Sequence, residues 1–321
     1  MGARQRHRAG GLSVATTMRP PTPDADAPAN GPPNVEGGLE VDAERAESRR
    51  GFLIGLPSFA YLTLLFAIPL IIVVVYSFAT RSSTGLTVLG GWNLSSYARL
   101  FDPLVLEITL RSLWLAGLTT VICLLFGYPF AYYIATRSPK VRGVLLVLVM
   151  IPFWSNFLVR TYAWRVLLGS DGPFATLLDA LGLPQIRLLF TPFAIVLGLV
   201  YGYLPFMILP LYAAIERLDF SLVEAARDLY ANGWQAFRRV TWPLSRPGVI
   251  AGSILVFVPS FGAYVTPEIL GGSRTTMLGS YIVRQFLSAR DWPFGSALSV
   301  AVLAVMLVAA MAYFRSGGKT L

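Results

Sequence analysis

The feature that most constrains this chain is a series of apolar stretches, several of them near twenty residues long. A helix of about 20 apolar residues spans a hydrocarbon layer of about 30 Å. Only 13% of the 321 residues are charged, whereas soluble domains carry about a quarter. Most of the chain therefore needs no water-facing surface, and we predict an all-α integral membrane protein.

The apolar stretches predict about six transmembrane helices. Their approximate ranges are 52–78, 109–136, 143–168, 192–215, 247–267 and 294–314. The prolines inside these ranges are Pro57, Pro69, Pro129, Pro152 and Pro205. Because proline lacks the amide hydrogen that a helix uses, we expect local bends or breaks there. No tandem or inverted repeat is visible, which argues against the common architectures of secondary transporters.

The first 48 residues differ from the rest. They are rich in proline and have almost no large apolar side chains, a composition typical of disorder. We therefore predict a disordered tail at 1–48 and a transmembrane domain at 49–321.

Charge gives an orientation and excludes one class of partner. The net charge of +9 lies outside residues 1–50, where seven Arg balance seven acids. The excess is spread among the loops, which suits contact with anionic lipid and offers no single patch for nucleic acid. With the N-terminus inside, thirteen Lys and Arg flank the cytoplasmic ends against seven outside. The positive-inside rule thus favours cytoplasmic N- and C-termini.

Catalytic and metal-site patterns are missing from the sequence. The only cysteine is Cys123 and the only histidine is His7, so no disulfide within the chain and no Cys/His metal set can form. No Gly-x-x-x-x-Gly-Lys-Ser/Thr motif and no nucleophile–base pair occurs. We expect no cofactor and no metal, and we expect any ATP hydrolysis to belong to a separate subunit.

The longest predicted cytoplasmic loop, 216–246, lies between the fourth and fifth spans. Ser221 and Glu224 have the spacing of a capping box, which would start a short helix. Ala225 and Ala226 are small enough for another protein to approach closely. Asn232 and Gly233 indicate a turn, followed by an amphipathic helix that ends at Pro243. An alternative is an interfacial helix that only lies on the membrane.

This loop resembles the cytoplasmic coupling loop of ABC importer permeases. The family pattern begins Glu-Ala-Ala, as Glu224-Ala225-Ala226 does here. Tyr230 stands where the family has glycine, and Gly233 is the candidate to form the turn instead. Trp242 replaces the leucine that precedes the proline. The resemblance implies contact with an ATPase through Ser221, Glu224, Ala225, Ala226, Asp228 and Gly233.

Further segments resemble the spermidine/putrescine-type permeases, so that the resemblance covers about 50–315. They are residues 112–116 with 127–132, 151–164, 267–272 and 291–297. The resemblance implies a permease domain at 49–321 that works with a second permease subunit, two ATPase subunits and an extracytoplasmic substrate-binding protein. It also implies a small cationic substrate, with a polyamine as the leading candidate.

Several residues in the spans are candidates to line a pathway: Trp154, Tyr162, Tyr201, Tyr203, Tyr264 and Glu268. The aromatic rings either hold ammonium groups by cation–π contact or form packing and interfacial belts. Glu268 either contacts a cation or simply ends a helix. Arg160 and Arg165 either extend to lipid headgroups or line the pathway. If the substrate is a cation, we expect both arginines to face headgroups or to pair with acids.

Two other classes of function stay open on the sequence. A secondary transporter or channel for a small solute needs repeats or ionisable groups at mid-span. A membrane scaffold leaves the Glu-Ala-Ala loop without a role. An adjacent gene for an ATPase would favour the importer subunit.

Overall fold

The computed structural model describes residues 57–317, apart from 83–85, 91, 185 and 273–274; in the last helix it describes no side chains for 309 and 312–317. The chain divides into two compact units, residues 1–65 and 66–321. Of the first unit, only residues 57–65 are described, so the tail predicted at 1–48 lies outside the described residues.

Helices account for most of the described chain. They are α1 Pro57–Ser77, α2 Ser95–Ala98, α3 Pro103–Ala135, α4 Pro139–Trp154, α5 Phe157–Leu167, α6 Pro173–Ala180, α7 Pro192–Glu216, α8 Ser221–Asp228, α9 Gly233–Ala236, α10 Trp242–Phe261, α11 Leu278–Leu287 and α12 Trp292–Gly317. A 3₁₀ turn covers Arg99–Phe101, and π-helical segments cover Phe237–Thr241 and Pro267–Gly271. Strands β1 Thr80–Arg81 and β2 Thr87–Val88 pair antiparallel.

Helices α3, α7 and α10 pack against one another and form the main core. Its fully buried side chains include Cys123 and Ala131 on α3, Met207 and Leu211 on α7, and Val256 on α10. Small residues at the contacts allow such helices to approach closely. This three-helix core is the frame that carries the coupling loop at one end and the pathway candidates along its length.

The predicted third span is not one straight helix. The structure divides it into α4 and α5, which meet at an angle of 83°. Pro152 lies near the end of α4, and the Ser155 hydroxyl donates to the Pro152 carbonyl at 2.8 Å. The Asn156 side chain then accepts from the amide of Leu158 at 2.8 Å and starts a new helix. The break is therefore made by proline followed by an N-cap, which hydropathy does not detect.

The predicted fifth span has different limits in the structure. The amphipathic helix expected to stop at Pro243 instead continues through it, giving one helical segment over Gly233–Phe261. The π-helical turn at Phe237–Thr241 precedes Pro243 and absorbs the hydrogen bond that proline cannot donate. The span ends at Phe261, before the predicted limit of 267.

Four helices are long and apolar enough to cross a membrane, and the number rises to five if the bent pair α4–α5 is one span. The apolar part of α12 described with side chains, Trp292–Val308, is shorter. The integral membrane, mainly α-helical class is thus confirmed, whereas the count of six spans stays a prediction.

A buried carboxylate joins three elements near the start of α12. Asp291 is 3% exposed, and its Oδ2 accepts from Arg99 Nη1 at 2.8 Å and lies 3.8 Å from Arg81 Nη1. Its Oδ1 accepts from the amide of Phe294 at 3.3 Å. The strand pair, the 3₁₀ turn and α12 are therefore linked through one side chain. The sequence reading had noted residues 291–297 without predicting this role, and it had not predicted the strands.

Candidate coupling loop and pathway cavity

The first helix of the loop, α8, begins at Ser221 as predicted, but by a different mechanism. Ser221 is its first residue and does not cap it, because the N-cap position is Phe220. The Asp219 Oδ1 atom accepts from the Ser221 amide at 3.0 Å. Hydrogen bonds from the Ser221 side chain and backbone hold the pKa of Asp219 below its ordinary value. The predicted Ser221–Glu224 capping box is therefore wrong, and the preceding aspartate organises this start.

The turn after α8 is formed by Tyr230 rather than by Gly233. Tyr230 has φ of 59°, in the left-handed region that favours glycine. Gly233 is the first residue of α9. That helix starts with a capping box in which Asn232 Oδ1 accepts from the Gln235 amide at 2.8 Å and Gln235 Oε1 accepts from the Asn232 amide at 3.1 Å. The chain therefore keeps the turn at the family's glycine position and uses a tyrosine there.

We expect Tyr230→Gly to stabilise the loop. A non-glycine residue in the left-handed region is disfavoured by about 1–2 kcal/mol, and the Tyr230 side chain is 98% exposed, so little packing is lost. Tyr230→Ala is the matched control, because it removes the ring and keeps the disfavoured backbone. Slower hydrogen exchange of the 221–236 amides in the glycine variant alone is the expected result. Equal exchange in both variants would show that the backbone at this position is not strained.

Aromatic packing attaches the loop to the core. The Tyr128 ring centroid on α3 lies 5.5 Å from that of Phe237 and 5.5 Å from that of Trp242. The Tyr128 hydroxyl is also 2.8 Å from Ser245 Oγ on α10, at a buried position. Val223 is the buried residue of α8. A displacement of the loop is therefore transmitted to α3 and α10 through packed rings, and Tyr128 is a residue that the sequence reading missed.

An ion pair attaches a second cytoplasmic-side segment to the same region. The Arg142 guanidinium on α4 pairs with Glu216, the last residue of α7, and its Nη2 donates to the Ala135 carbonyl at 3.0 Å. Glu216 immediately precedes the loop. The basic 137–142 segment therefore contacts the end of α7 directly, a link that the sequence reading did not predict.

The surface of the loop combines acidic, small and large apolar side chains. Of the coupling candidates, Ser221, Glu224, Ala225, Asp228 and Gly233 are exposed, whereas Ala226 is half-buried. Leu229 and Trp234 beside them are 81% and 67% exposed. Exposed large apolar side chains next to charges are typical of a protein–protein interface. The loop therefore presents a surface suited to another protein.

A cavity of about 350 Å³ lies among α5, α7 and the segment that follows α10. Two of the predicted pathway aromatics, Tyr203 and Tyr264, line it together with Phe157, and Thr266 contributes a hydroxyl. The Tyr203 hydroxyl donates to the Pro259 carbonyl at 3.4 Å. The cavity is mainly aromatic with a few oxygen atoms, which suits a flexible organic cation.

The other predicted aromatics are not part of this cavity wall. The Tyr201 ring lies 5.6 Å from the Trp164 ring in an edge-to-face arrangement. Trp154 and Tyr162 are 76% and 52% exposed, and neither pairs with another ring within the described part of the chain. The structure thus brings together two of the five aromatic candidates and separates the other three.

Glu268 is paired with a cation of the chain itself. Both carboxylate oxygens accept from Arg284 Nη2, at 3.2 and 3.1 Å, and Arg284 Nη1 donates to Thr276 Oγ1 at 3.3 Å. The pair is partly exposed on both sides. Glu268 can therefore contact an external cation only if Arg284 moves or shares it. Arg284 was missed because it lies on α11, and helix packing rather than sequence spacing brings it to Glu268.

Comparison with known proteins adds to this geometry. The model of the family described as binding-protein-dependent transport system inner membrane component matches residues 124–316, more than half of the chain. The chain belongs to this family. Membership confirms the inner-membrane, multi-pass placement. It also confirms the prediction of a transport component rather than an enzyme, and it supports the resemblance based on Glu224-Ala225-Ala226.

The similar proteins of this family are polyamine permeases by name. The chain is 44% identical to the spermidine/putrescine transport system permease protein PotB of Haemophilus influenzae, covering 80% of this chain and 91% of that protein. It is 42% identical to PotB of Escherichia coli, covering 80% and 94%. The Escherichia coli inner membrane ABC transporter permease protein YdcU is 32% identical, covering 70% and 76%.

Solved structures of ABC transporters share the fold. A bacterial ABC transporter for import of the acidic polysaccharide alginate aligns at a TM-score of 0.60 and 20% identity, covering 86% of this chain and 98% of that chain. The alginate transporter in complex with a pentasaccharide-bound periplasmic protein aligns at 0.64 and 19%, covering 86% and 97%. At these identities the likeness shows the fold of an importer's membrane subunit.

Proposed function

We propose that this chain is the permease subunit of an ATP-driven importer for spermidine- and putrescine-like polyamines. The observation that carries the proposal is the 44% identity to a spermidine/putrescine permease over 91% of that permease's length. The proposed assembly contains a second permease subunit, two ATPase subunits and an extracytoplasmic substrate-binding protein.

The proposed orientation has six spans with both termini in the cytoplasm. The excess of Lys and Arg on the cytoplasmic flanks supports it, and so does the loop 137–142, which holds three basic residues and no acid. The sixth span is α12, and the fifth is the Gly233–Phe261 segment. In this arrangement the loop 216–246 faces the cytoplasm, where an ATPase can reach it.

Coupling is proposed to occur through α8. The helix is attached directly to α7 and, through the turn at Tyr230 and the packed rings of Phe237 and Trp242, to α10 and α3. Closure of an ATPase dimer that holds α8 would move these helices together. The residues proposed to contact the ATPase are Ser221, Glu224, Ala225, Ala226, Asp228 and Gly233.

The substrate is proposed to pass along the aromatic cavity. Aromatic faces replace part of the water around an ammonium group, with about 0.5–2 kcal/mol from each contact. Such weak and distributed contacts let a cation leave again. Tyr203 and Tyr264 line the cavity, while Trp154, Tyr162, Tyr201 and Glu268 are proposed contacts at other points of the route. Glu268 would exchange Arg284 for a substrate ammonium.

We expect Glu268→Gln to reduce polyamine uptake by about threefold to tenfold, because a charge-assisted contact contributes about 1–2 kcal/mol more than a neutral one. Radiolabelled putrescine and spermidine uptake into vesicles containing the assembled complex is the measurement, with an anionic solute and an amino acid as competitors. Arg284→Gln is the matched control for loss of the ion pair, since it removes the pair and keeps the carboxylate.

The proposal predicts polyamine uptake that neither competitor inhibits, lower uptake in Glu268→Gln than in Arg284→Gln, and unchanged assembly of both variants. Uptake of the anionic solute with none of either polyamine would overturn the substrate assignment. Equal losses in the two variants would assign Glu268 a structural role only.

A further inference from the structure

We propose that Arg160 is a resident cation of the pathway, which occupies an aromatic site beside the cavity and competes there with the ammonium groups of the substrate. The inference rests on the proposed function for the identity of the substrate, and it goes beyond it by assigning a residue that sets cation affinity and specificity. Neither of the two readings taken from the sequence alone, lipid headgroups or acids, fits the contacts of Arg160.

The guanidinium of Arg160 faces three rings from three separate segments. Its Cζ atom lies 5.7 Å from the ring centroid of Phe153 on α4, 5.9 Å from that of Phe157 on α5 and 5.9 Å from that of Tyr201 on α7. Each distance is within the range in which a cation over a ring is attracted. The break between α4 and α5 makes this possible, because it brings residues 153 and 157 to face the same side chain.

The charge of Arg160 has no carboxylate to balance it among the described residues, where every ion pair involves other arginines. Its Nε atom is buried and has no hydrogen-bond partner in the described part of the chain. The rings are therefore its main stabilising contacts. An arginine held in this way is free of the fixed geometry that a bidentate ion pair imposes, so its side chain can be displaced.

The rings that hold Arg160 continue into the cavity wall. Phe157 lines the cavity itself. The Phe153 ring packs edge-to-face on Phe206 at 5.2 Å, and Phe206 lies 6.2 Å from Tyr203, another lining residue. An ammonium group in the cavity is thus surrounded by the same aromatic system that already holds a guanidinium.

Competition between the two cations follows from this arrangement. The aromatic faces that attract a substrate ammonium are occupied, and the two positive charges repel each other at short range. A monoamine must displace one cation to gain one contact, whereas a polyamine keeps further ammonium groups for the other rings. Arg160 therefore keeps binding weak enough for release and favours substrates that carry several charges.

The test compares Arg160→Met, which keeps a long apolar side chain without charge, with Arg160→Lys, which keeps the charge. Arg165→Met is the matched control, because Arg165 lies on the same helix, is exposed, and has no ion pair or ring contact among the described residues. Radiolabelled spermidine and a monoamine, propylamine, are bound to the purified complex without its binding protein. Maximal uptake with saturating binding protein is measured in parallel.

We expect Arg160→Met to bind spermidine about three- to fivefold more tightly, to bind propylamine by a larger factor, and to transport spermidine more slowly. Arg160→Lys and Arg165→Met should stay within about twofold of wild type. Unchanged binding in Arg160→Met, or a lysine variant that behaves like the methionine variant, would overturn the inference.

Binding is measured without transport, so the two proposals fail separately. If the wild-type complex imports another solute and no polyamine, the proposed function is wrong. Tighter amine binding in Arg160→Met would still support the resident cation in that case.

Discussion

Glu224→Lys is expected to lower substrate-stimulated ATP hydrolysis and transport by more than about tenfold, because charge pairs at protein interfaces contribute several kcal/mol. Glu224 is exposed in the first turn of α8, where the helix dipole favours a negative group. Lysine both opposes the dipole and reverses the charge offered to the ATPase. Hydrolysis and uptake by the reconstituted complex, with and without loaded binding protein, are the measurements.

The matched control for this charge reversal is Asp179→Lys, at an exposed position on α6 outside the loop. It should insert into the membrane at the same level as Glu224→Lys and keep wild-type stimulation. A Glu224→Lys complex that hydrolyses ATP and transports at wild-type rates would show that the loop 216–246 is not the coupling element. Gly233→Val is no longer an informative test, because Gly233 does not form the turn.

Gly248→Ala is expected to have the second large effect, on stability. A Cβ atom there would lie 2.5 Å from the Cβ of Ala214 and 2.7 Å from the carbonyl oxygen of Pro210, both on α7. Backbone atoms cannot yield unless α7 and α10 separate. Overpacking of this kind costs about 1–3 kcal/mol, which corresponds to a fall in Tm of several degrees, about 2–4 °C for each kcal/mol in a chain of this size.

Gly202→Ala on α7 is the control, because a Cβ atom there meets nothing within 4 Å. Thermal unfolding of the two variants in the same detergent is the measurement, and only Gly248→Ala should lose stability. Equal midpoints for both variants and wild type would contradict the close packing of α7 on α10 that carries the proposed coupling.

Hydropathy predicted the frame of the fold because it depends on length and apolar content. The second and fourth spans agree with α3 and α7 to within a few residues, apart from an earlier start of α3 at Pro103. It did not predict the 83° break between α4 and α5. That break depends on hydrogen bonds of Ser155 and Asn156 rather than on polarity, since the residues around it remain apolar.

The loop shows what a motif carries and what it does not. Glu224-Ala225-Ala226 correctly located a helix, but Ser221 and Gly233 were assigned the wrong structural roles. Asp219 and Tyr230 perform those roles, because the side chain and the backbone angle that decide them are set by contacts across the turn. A glycine pattern alone cannot show that a tyrosine has accepted the left-handed conformation.

The pathway residues were the least predictable part. Residue type singled out Tyr203 and Tyr264, which share a cavity, and equally Trp154, which does not line it. The partners of Glu268 and Arg160 come from other helices, Arg284 in the first case and the rings of Phe153 and Tyr201 in the second. Such pairings depend on how helices pack, and no local spacing encodes them.

Uptake of radiolabelled spermidine into proteoliposomes tests the central claim most directly. The vesicles contain this chain with the second permease and the two ATPase subunits, the binding protein is outside, and either ATP or a non-hydrolysable analogue is inside. The account predicts spermidine accumulation with ATP, none with the analogue, and none when this chain is omitted. Equal accumulation without hydrolysable ATP, driven by an imposed ion gradient, would identify a secondary transporter and contradict the account.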